Sequence, residues 1–215
     1  MTTQNRIINP AVPNLPLGTD QYERRYQDQF TNILRLYFNQ LQNALTEITG
    51  NAGGRYLAFP YGAFSDFNDQ TTTVNTATLM GLSVTDFSNN ITLVAGSKIT
   101  VANPGIYNLQ FSAQLQNLDN APQDVFIWLK QNGVDIVGST GLVGMPARKS
   151  AGVPFHDIKG WNYYLSMNAG DYVQIYWSTT NVDVTIQTYA ASGTPTKPST
   201  ASVVATLSFV SALPA

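Results

Sequence analysis

One segment with helical periodicity constrains this chain more than any other, residues 20–49, which read DQYERRYQDQFTNILRLYFNQLQNALTEIT. Its apolar side chains recur at alternating steps of four and three, which places them on one stripe of an α-helix. The stripe comprises Tyr22, Tyr26, Phe30, Leu34, Tyr37, Leu41, Ala44 and Ile48. Asp20 followed by Glu23 predicts a capping box, and Gly50 predicts the helix end. A rod of roughly 45 Å, at about 1.5 Å per residue, needs a partner for this stripe.

Part of the stripe fits the heptad repeat of a coiled coil. Ile33, Phe38 and Leu45 widen the seam at flanking positions, and a wide seam suits three helices better than two. We therefore predict an amphipathic helix over residues 20–50 that forms a trimeric coiled coil. The predicted trimer contacts are Phe30, Leu34, Tyr37, Leu41 and Ile48. Because fewer than three heptads are present, a helix that packs on its own β-domain stays an alternative.

The segment before the helix, residues 1–19, combines prolines with apolar side chains and has no repeating period. Proline restricts itself and its predecessor to extended geometry, so the segment is interpreted as an arm that reaches roughly 65 Å. Its apolar content favours binding in a groove on another protein, and a flexible tail is the alternative. The predicted anchoring residues are Ile7, Ile8, Pro10, Val12, Pro13, Leu15, Pro16 and Leu17.

Beyond the helix, short alternating segments separated by turn residues predict a mainly β fold. Residues 51–70 are interpreted as a connector rich in glycine and aromatic residues, and residues 71–215 as an antiparallel jelly-roll sandwich. The clearest strand is Gly105–Gln116, which alternates apolar and polar side chains. Its predicted inward side chains are Tyr107, Leu109, Phe111, Ala113 and Leu115.

Aromatic residues concentrate in the later strands. Val125–Gln131 is apolar in both phases, which predicts a strand covered on both faces, and Asn132-Gly133 predicts a hairpin turn after it. Trp128 and Trp177 lie in phase with apolar neighbours and are predicted to be core residues. A second group is predicted to form a subunit interface, with stacking on sugar rings as the alternative. This group comprises Trp161, Tyr163, Tyr172 and Tyr176.

The composition disfavours several functional classes. Charged residues make up only 11% of the chain, the net charge is −2, and the lysines and arginines are scattered. Such a chain lacks the electrostatic footprint that nucleic acids and anionic membranes require. There is no cysteine, so thiolate metal sites and disulfides are excluded. No apolar run approaches membrane-spanning length, and the first residues contain no signal-peptide core.

No residue pattern predicts catalysis or a cofactor. His156 is the only histidine, and both glutamates, Glu23 and Glu47, lie on the predicted helix. Neither the G-x-S-x-G elbow nor a phosphate-binding glycine loop occurs. Two groups could offer oxygen ligands to calcium, although turns use the same residue types. They are Asp66, Asn68 and Asp69, and separately Asn117, Asp119 and Asn120. We predict a protein that is not an enzyme and has neither a metal site nor a cofactor.

Three segments resemble a known family. ITVANPGIYNLQFSAQL resembles the PG-x-Y-x-F strand of the complement globular-head and tumour-necrosis-factor family, and VFIWLKQNGVDI resembles its next strand. YYLSMNAGDYVQIYW resembles its L-x-x-GD-x-V segment, and SVVATLSFV lies where that family has its last core strand. The resemblance covers most of residues 97–210. It implies a ten-strand-type jelly roll that assembles as a homotrimer around a threefold axis.

A second resemblance concerns the segment LPLGTDQYERRYQDQFTNILRLYFNQLQN. It is similar to the start of small structural proteins of tailed bacteriophages, in which an arm and a helix precede such a jelly roll. This resemblance implies a virion protein whose partners are its own copies and the major capsid protein or another virion protein. Together these features predict a homotrimer on the capsid surface, as a decoration or cement protein or a short head fibre. The alternative is a tail-fibre protein that binds a bacterial glycan.

Overall fold

The periodic segment forms one helix, α1, at Arg24–Thr49. The computed structural model describes residues 10–18, 20–49 and 59–214 and divides the chain into a helical unit, Met1–Ala58, and a β unit, Phe59–Ala215. The predicted cap at Asp20 is wrong, because the chain bends there and the carbonyl of Glu23 accepts the first helical hydrogen bond, from Gln27 N–H at 3.2 Å. Gly50, the predicted helix end, lies outside the described residues. No stretch of α1 is apolar enough to cross a membrane.

The β unit consists of short antiparallel strands. They are β1 (Tyr61–Asp66), β2 (Thr78–Leu79), β3 (Val84–Asn89), β4 (Ile91–Val94), β5 (Lys98–Val101), β6 (Gly105–Asn117), β7 (Gln123–Gln131), β8 (Val134–Asp135), β9 (Gly141–Met145), β10 (Phe155–Lys159), β11 (Asn162–Met167), β12 (Tyr172–Thr179), β13 (Val184–Ile186), β14 (Ser192–Gly193), β15 (Thr196–Lys197) and β16 (Val203–Ser211). The β1 strand falls inside the predicted connector 51–70, so the β-domain begins earlier than the predicted boundary at residue 71.

The strands form the two sheets of a jelly roll. Sheet A has the order β3, β1, β16 and β6. On the edge of β6 away from β16, β11 pairs with the first half of β6 and β10 pairs with the second half. The short β13 strand pairs with the last three residues of β6. Sheet B has the order β4, β5, β12 and β7, with β2 beside β12 and with β8 and β9 beside β7. The chain crosses repeatedly between the two sheets, for example from β5 to β6, from β6 to β7 and from β11 to β12, as in a jelly roll. The predicted mainly β sandwich is confirmed.

The core lies between the inner faces of the two sheets. Alternation along β6 is as predicted, because Tyr107, Leu109, Phe111, Ala113 and Leu115 are all buried. The same holds for Val173, Ile175 and Trp177 on β12 and for Val203, Ala205 and Leu207 on β16. Trp177 is fully buried, which confirms its predicted place in the core.

Two predictions about the aromatic strands need correction. The β7 strand buries Val125, Ile127 and Leu129 but leaves Phe126 and Trp128 half-buried on its other face. Trp128 is therefore not a core residue, because alternation directs it to the outer face of sheet B. There its indole N–H donates to Asp135 Oδ1 at 2.8 Å.

The glycine and tyrosine of the PG-x-Y motif have structural roles in the β unit. Gly105 lies beneath the ring of Phe209, where a Cβ atom would overlap that ring. Tyr107 is fully buried, and its hydroxyl donates to the carbonyl of Asn103 at 2.8 Å. Burial raises the pKa of this phenol. The motif therefore combines a close approach between strands with a tyrosine that holds the preceding loop.

The aspartate of the GD-x-V motif joins two turns. The Asp171 carboxylate accepts from the backbone N–H of Asn168 at 2.7 Å and from the side-chain amides of Asn132 at 2.8 Å and Gln131 at 3.3 Å. Asn132 and Gly133 have φ values of 52° and 81°, as the predicted hairpin turn between β7 and β8 requires. Asp171 thus ties the turn that connects the two sheets to this hairpin.

Candidate assembly surfaces

The apolar stripe of α1 is only partly covered. Tyr26, Phe30, Leu34, Tyr37 and Leu41 are half-buried. By contrast, Leu36, Phe38, Leu45 and Ile48 are 52%, 58%, 51% and 37% exposed. Phe38 and Leu45 are seven residues apart and therefore lie above one another on the helix. We call these two side chains the helix edge. Of the predicted trimer contacts, Ile48 is exposed and the other four are half-buried.

The predicted anchoring residues fall into two sets. Pro10, Pro13 and Pro16 are half-buried, and the apolar residues between and after them are exposed. The exposed fractions are 89% for Val12, 42% for Leu15 and 93% for Leu17. Ile7 and Ile8 lie outside the described residues. The described part of the arm therefore presents aliphatic side chains to solvent.

Trp161 and Tyr163, two of the predicted interface residues, point toward the core of the β unit. The ring of Trp161 meets that of Phe111 edge to face, with centroids 4.7 Å apart. It also covers Gly141 on β9, where a Cβ atom would overlap the indole. Trp161 therefore packs between β6 of sheet A and β9 of sheet B, and its side chain is half-buried.

Tyr172 and Tyr176, the other two predicted interface residues, lie on the outer face of sheet B. Tyr176 stacks on Trp128 with centroids 5.9 Å apart, and Lys130 Nζ lies 4.7 Å from the centre of the Tyr176 ring. Lys98 Nζ lies 4.5 Å from the centre of the Tyr172 ring. Each of these rings thus has at least one face covered, either by a neighbouring ring or by a lysine. The structure does not bring these tyrosines together with Trp161 and Tyr163.

The outer face of sheet A is an apolar surface that the sequence interpretation missed. We define it by five exposed side chains, Tyr61, Phe87, Ile158, Tyr164 and Val204, whose exposed fractions range from 39% to 63%. Tyr61 and Phe87 meet edge to face with centroids 6.1 Å apart. Asn108 of β6 is the register partner of Tyr164, and it lies two strands away from Tyr61. Its Oδ1 is buried and has no hydrogen-bond partner among the described residues.

A signal for this surface was present in the sequence. In β11, Leu165 and Met167 share a phase with Tyr163, and all three point inward. Tyr164 must then point outward, because side chains alternate across a strand. Phe87 had no such signal, since its strand, VTDFSN, shows no apolar alternation.

In the two groups that could offer oxygen ligands to calcium, the carboxylates of Asp66 and Asp119 accept hydrogen bonds from within the protein. The buried Asp66 carboxylate accepts from Asn68, Gln70 and Ser83 at 2.9, 2.8 and 2.5 Å. The Asp119 carboxylate accepts from Gln123 and Asn181 at 2.5 and 2.7 Å. Within the described ranges, no group of three or more His, Asp or Glu side chains is placed to hold a metal ion.

His156 lies on the exposed side of β10. Its Nδ1 is 2.9 Å from the hydroxyl of Tyr189, and the two rings meet edge to face. Partial burial, and then the positive charge of Lys149, lower the pKa of His156. Burial, and then the negative charge of Asp69, raise the pKa of Tyr189. Both shifts favour a neutral pair that links the β10 strand to the segment after β13.

Comparisons with known proteins give structural similarity alone. No family model matches the chain, and no curated protein matches its sequence. Among solved structures, an Eiger TNF from S. frugiperda is 11% identical, with a TM-score of 0.47, covering 74% of this chain and 97% of that one. The globular domain of the zebrafish complement 1qA protein is 11% identical, with a TM-score of 0.40, covering 72% of this chain and 99% of that one.

Proposed function

We propose that this protein is a non-enzymatic structural protein of a bacteriophage virion, assembled as a homotrimer that decorates or cements the capsid or forms a short head fibre. The observation that carries self-association is the helix edge, since Phe38 and Leu45 expose more than half of their surface in a single chain. Large apolar side chains exposed together mark interaction sites. The virion setting comes from the resemblance of residues 15–43 to the start of phage structural proteins.

The proposed trimer has two contact regions. In the helical unit, Phe30, Leu34, Tyr37, Leu41 and Ile48 line the seam, with the helix edge at its side. In the β unit, the outer face of sheet A offers aromatic and aliphatic side chains without a charged residue among its five defining members. Tyr172 and Tyr176 remain proposed contacts on the opposite face of the sandwich.

The proposed mechanism of attachment is multivalency. Each arm presents a few aliphatic side chains, which together bind a groove only weakly. Three arms on one trimer act at a high effective concentration, so that the first contact promotes the next two. Occupancy on the particle then depends on the trimeric state as well as on the arm sequence.

Sedimentation of the purified full-length protein tests the proposal first. We expect a species of three times the mass of one chain, and a single-chain species at high concentration would refute the assembly. A variant that lacks residues 1–19 should remain a soluble trimer and fail to join particles stripped of this protein. Full occupancy by that variant would refute the anchoring role of the arm.

The same reagents address the alternative, a tail-fibre protein that binds a glycan. Sugar stacking needs open aromatic faces, whereas Trp128, Tyr172 and Tyr176 have faces covered by neighbouring side chains. We therefore expect the trimer to bind none of the capsule or lipopolysaccharide fragments on a glycan array. Specific binding there would replace the capsid proposal with the alternative.

A further inference from the structure

In the described arm, half-buried and exposed side chains follow a regular pattern. Residues 10–16 read PAVPNLP, with prolines at every third position. Each of the three prolines is half-buried, and each residue between them is exposed. A period of three is that of the polyproline II helix, which has three residues per turn. One side of the arm is therefore covered, and that side is made of proline rings.

One contact shows what lies on this side. The hydroxyl of Tyr26, in the first turns of α1, donates to the carbonyl of Pro16 at 3.4 Å. The chain bends at Asp20 and Gln21 between the two residues, which brings Pro16 back to the first turns of the helix. Tyr26 stacks on Phe30 with centroids 6.2 Å apart. The arm thus meets α1 where its stripe is most aromatic.

We propose that residues 10–16 bind the aromatic stripe of α1 in the same chain as a polyproline II strap. Proline-rich segments bind aromatic surfaces because their conformation is already fixed and little entropy is lost on binding. Three residues of the strap span about 9 Å, which equals about six residues of helix. Moving from the Pro16–Tyr26 contact, Pro13 then lies level with helix residues 32–33 and Pro10 level with residues 37–38, where Ile33 and Tyr37 are half-buried.

The strap leaves two surfaces for other molecules. On the helix, Phe38 is rotated by about 100° from Tyr37 and is 58% exposed, so the strap leaves Phe38 accessible to a second copy of the chain, whereas Tyr37 then contacts the strap instead of the seam. On the strap, the outward side carries Val12, Leu15 and the adjoining Leu17. Resting on the proposed function, this assigns capsid contact to these three aliphatic residues and an internal role to the prolines.

Disulfide trapping in the full chain tests the strap, because the sequence contains no cysteine. The double variant Pro13→Cys with Ile33→Cys should form an intrachain disulfide under mild oxidation, seen as a faster band on a non-reducing gel. The matched control pairs Pro13→Cys with Arg35→Cys, on the exposed opposite side of α1. We expect the first pair to close at least tenfold faster than the control. Equal rates, or disulfide-linked dimers as the main product, would overturn the proposal.

A second measurement needs no cysteine variant and therefore does not depend on how such variants fold. In the unsubstituted protein, NMR cross-relaxation should connect the ring protons of Tyr26 with the Pro16 ring. Tyr26→Phe keeps the ring and removes the hydroxyl donor, and in the cysteine pair it should slow disulfide closure a few-fold. Absence of the cross-relaxation would refute the strap. Because neither experiment uses virus particles or depends on trimer formation, their outcome is distinguishable from that of the proposed function.

Discussion

The helical unit and the β unit differ in how much of their apolar side-chain surface they bury. Within the described residues, Ala44 is the only hydrophobic side chain of α1 that is buried, at 9% exposure. The β unit buries apolar side chains from both of its sheets, including Trp177, Tyr107 and Phe64 with no exposed surface. The β unit therefore owes its stability to contacts that it makes itself. The described part of α1 instead leaves large apolar side chains such as Leu36 and Phe38 exposed.

The largest expected effect tests the self-sufficiency of the β unit. Leu109→Ala removes a fully buried side chain on β6 and should lower the free energy of unfolding by about 2–5 kcal/mol. The control Leu142→Ala makes the same change at a side chain that is 63% exposed, and it should cost less than about 1 kcal/mol. Urea denaturation followed by tryptophan fluorescence measures both. Equal losses would show that the core is not where the structure places it.

The next effect tests the dependence of the helical unit on association. Phe38→Ser with Leu45→Ser makes the helix edge polar and should raise the dissociation constant of the trimer at least tenfold, since each buried side chain contributes about 1.5–3 kcal/mol. The control Leu36→Ser alters a side chain of similar exposure on another side of α1. Analytical ultracentrifugation over a concentration series measures both. Equal weakening by the control would show that the edge is not the contact.

A smaller effect is expected at Asp171. The backbone N–H of Asn168, followed by the side-chain amides of Asn132 and Gln131, lowers the pKa of this carboxyl, and burial opposes them in part. Its stabilising contribution is complete above the ordinary pKa near 4 and is lost as the pH falls through the lowered value. Asp171→Asn should cost about 1 kcal/mol at neutral pH, since solvent screens part of each contact.

Acid unfolding curves measure this contribution. The Asp171→Asn variant should lose less stability than the original chain between about pH 5 and pH 2. Asp183→Asn, at an exposed loop carboxylate, serves as the control. An unchanged acid profile at Asp171 would mean that the turn does not depend on its charge.

The smallest expected effect concerns His156. Since burial and Lys149 lower its pKa, the unfolded chain binds a proton more readily than the folded one. Stability from the neutral pair with Tyr189 is complete above the ordinary pKa of about 6.5 and decreases as the pH falls below it. His156→Gln should flatten thermal stability between about pH 7 and pH 5. A steeper profile in that variant would contradict the assignment.

Strand alternation made much of the β unit predictable. The β6 and β16 strands bury alternate apolar residues, and a buried face fixes the register of each. The β1 strand escaped prediction because its inward positions hold Gly62, Phe64 and Asp66. Asp66 is tolerated there because the side chains of Gln70 and Ser83 donate hydrogen bonds to its carboxylate. Such compensation arises only in the folded chain.

The candidate surfaces were less predictable than the fold. Periodicity identifies the stripe of α1, but it does not tell which part of the stripe the chain covers itself. Trp128 shows the same ambiguity in a strand. Because β7 has apolar residues in both phases, its pattern does not tell which face is the inner one. The contacts of Trp128 with Tyr176 and Asp135 show that its side chain lies on the outer face. The half-burial of the three prolines follows their spacing of three residues, which is visible in the sequence. The sequence does not tell what covers them, and the contact between Tyr26 and Pro16 is needed for that.

The entry and exit of the β unit lie side by side. Phe209 N–H donates to the carbonyl of Pro60 at 2.9 Å, and β1 pairs with β16 in the middle of sheet A. The β14–β15 hairpin precedes β16 and therefore lies at the far end of the sandwich. For engineering, a peptide inserted between Gly193 and Thr196 would be displayed at the end of the β unit opposite Pro60. A tag fused after residue 211 would instead lie on the side of Pro60, where the β unit begins.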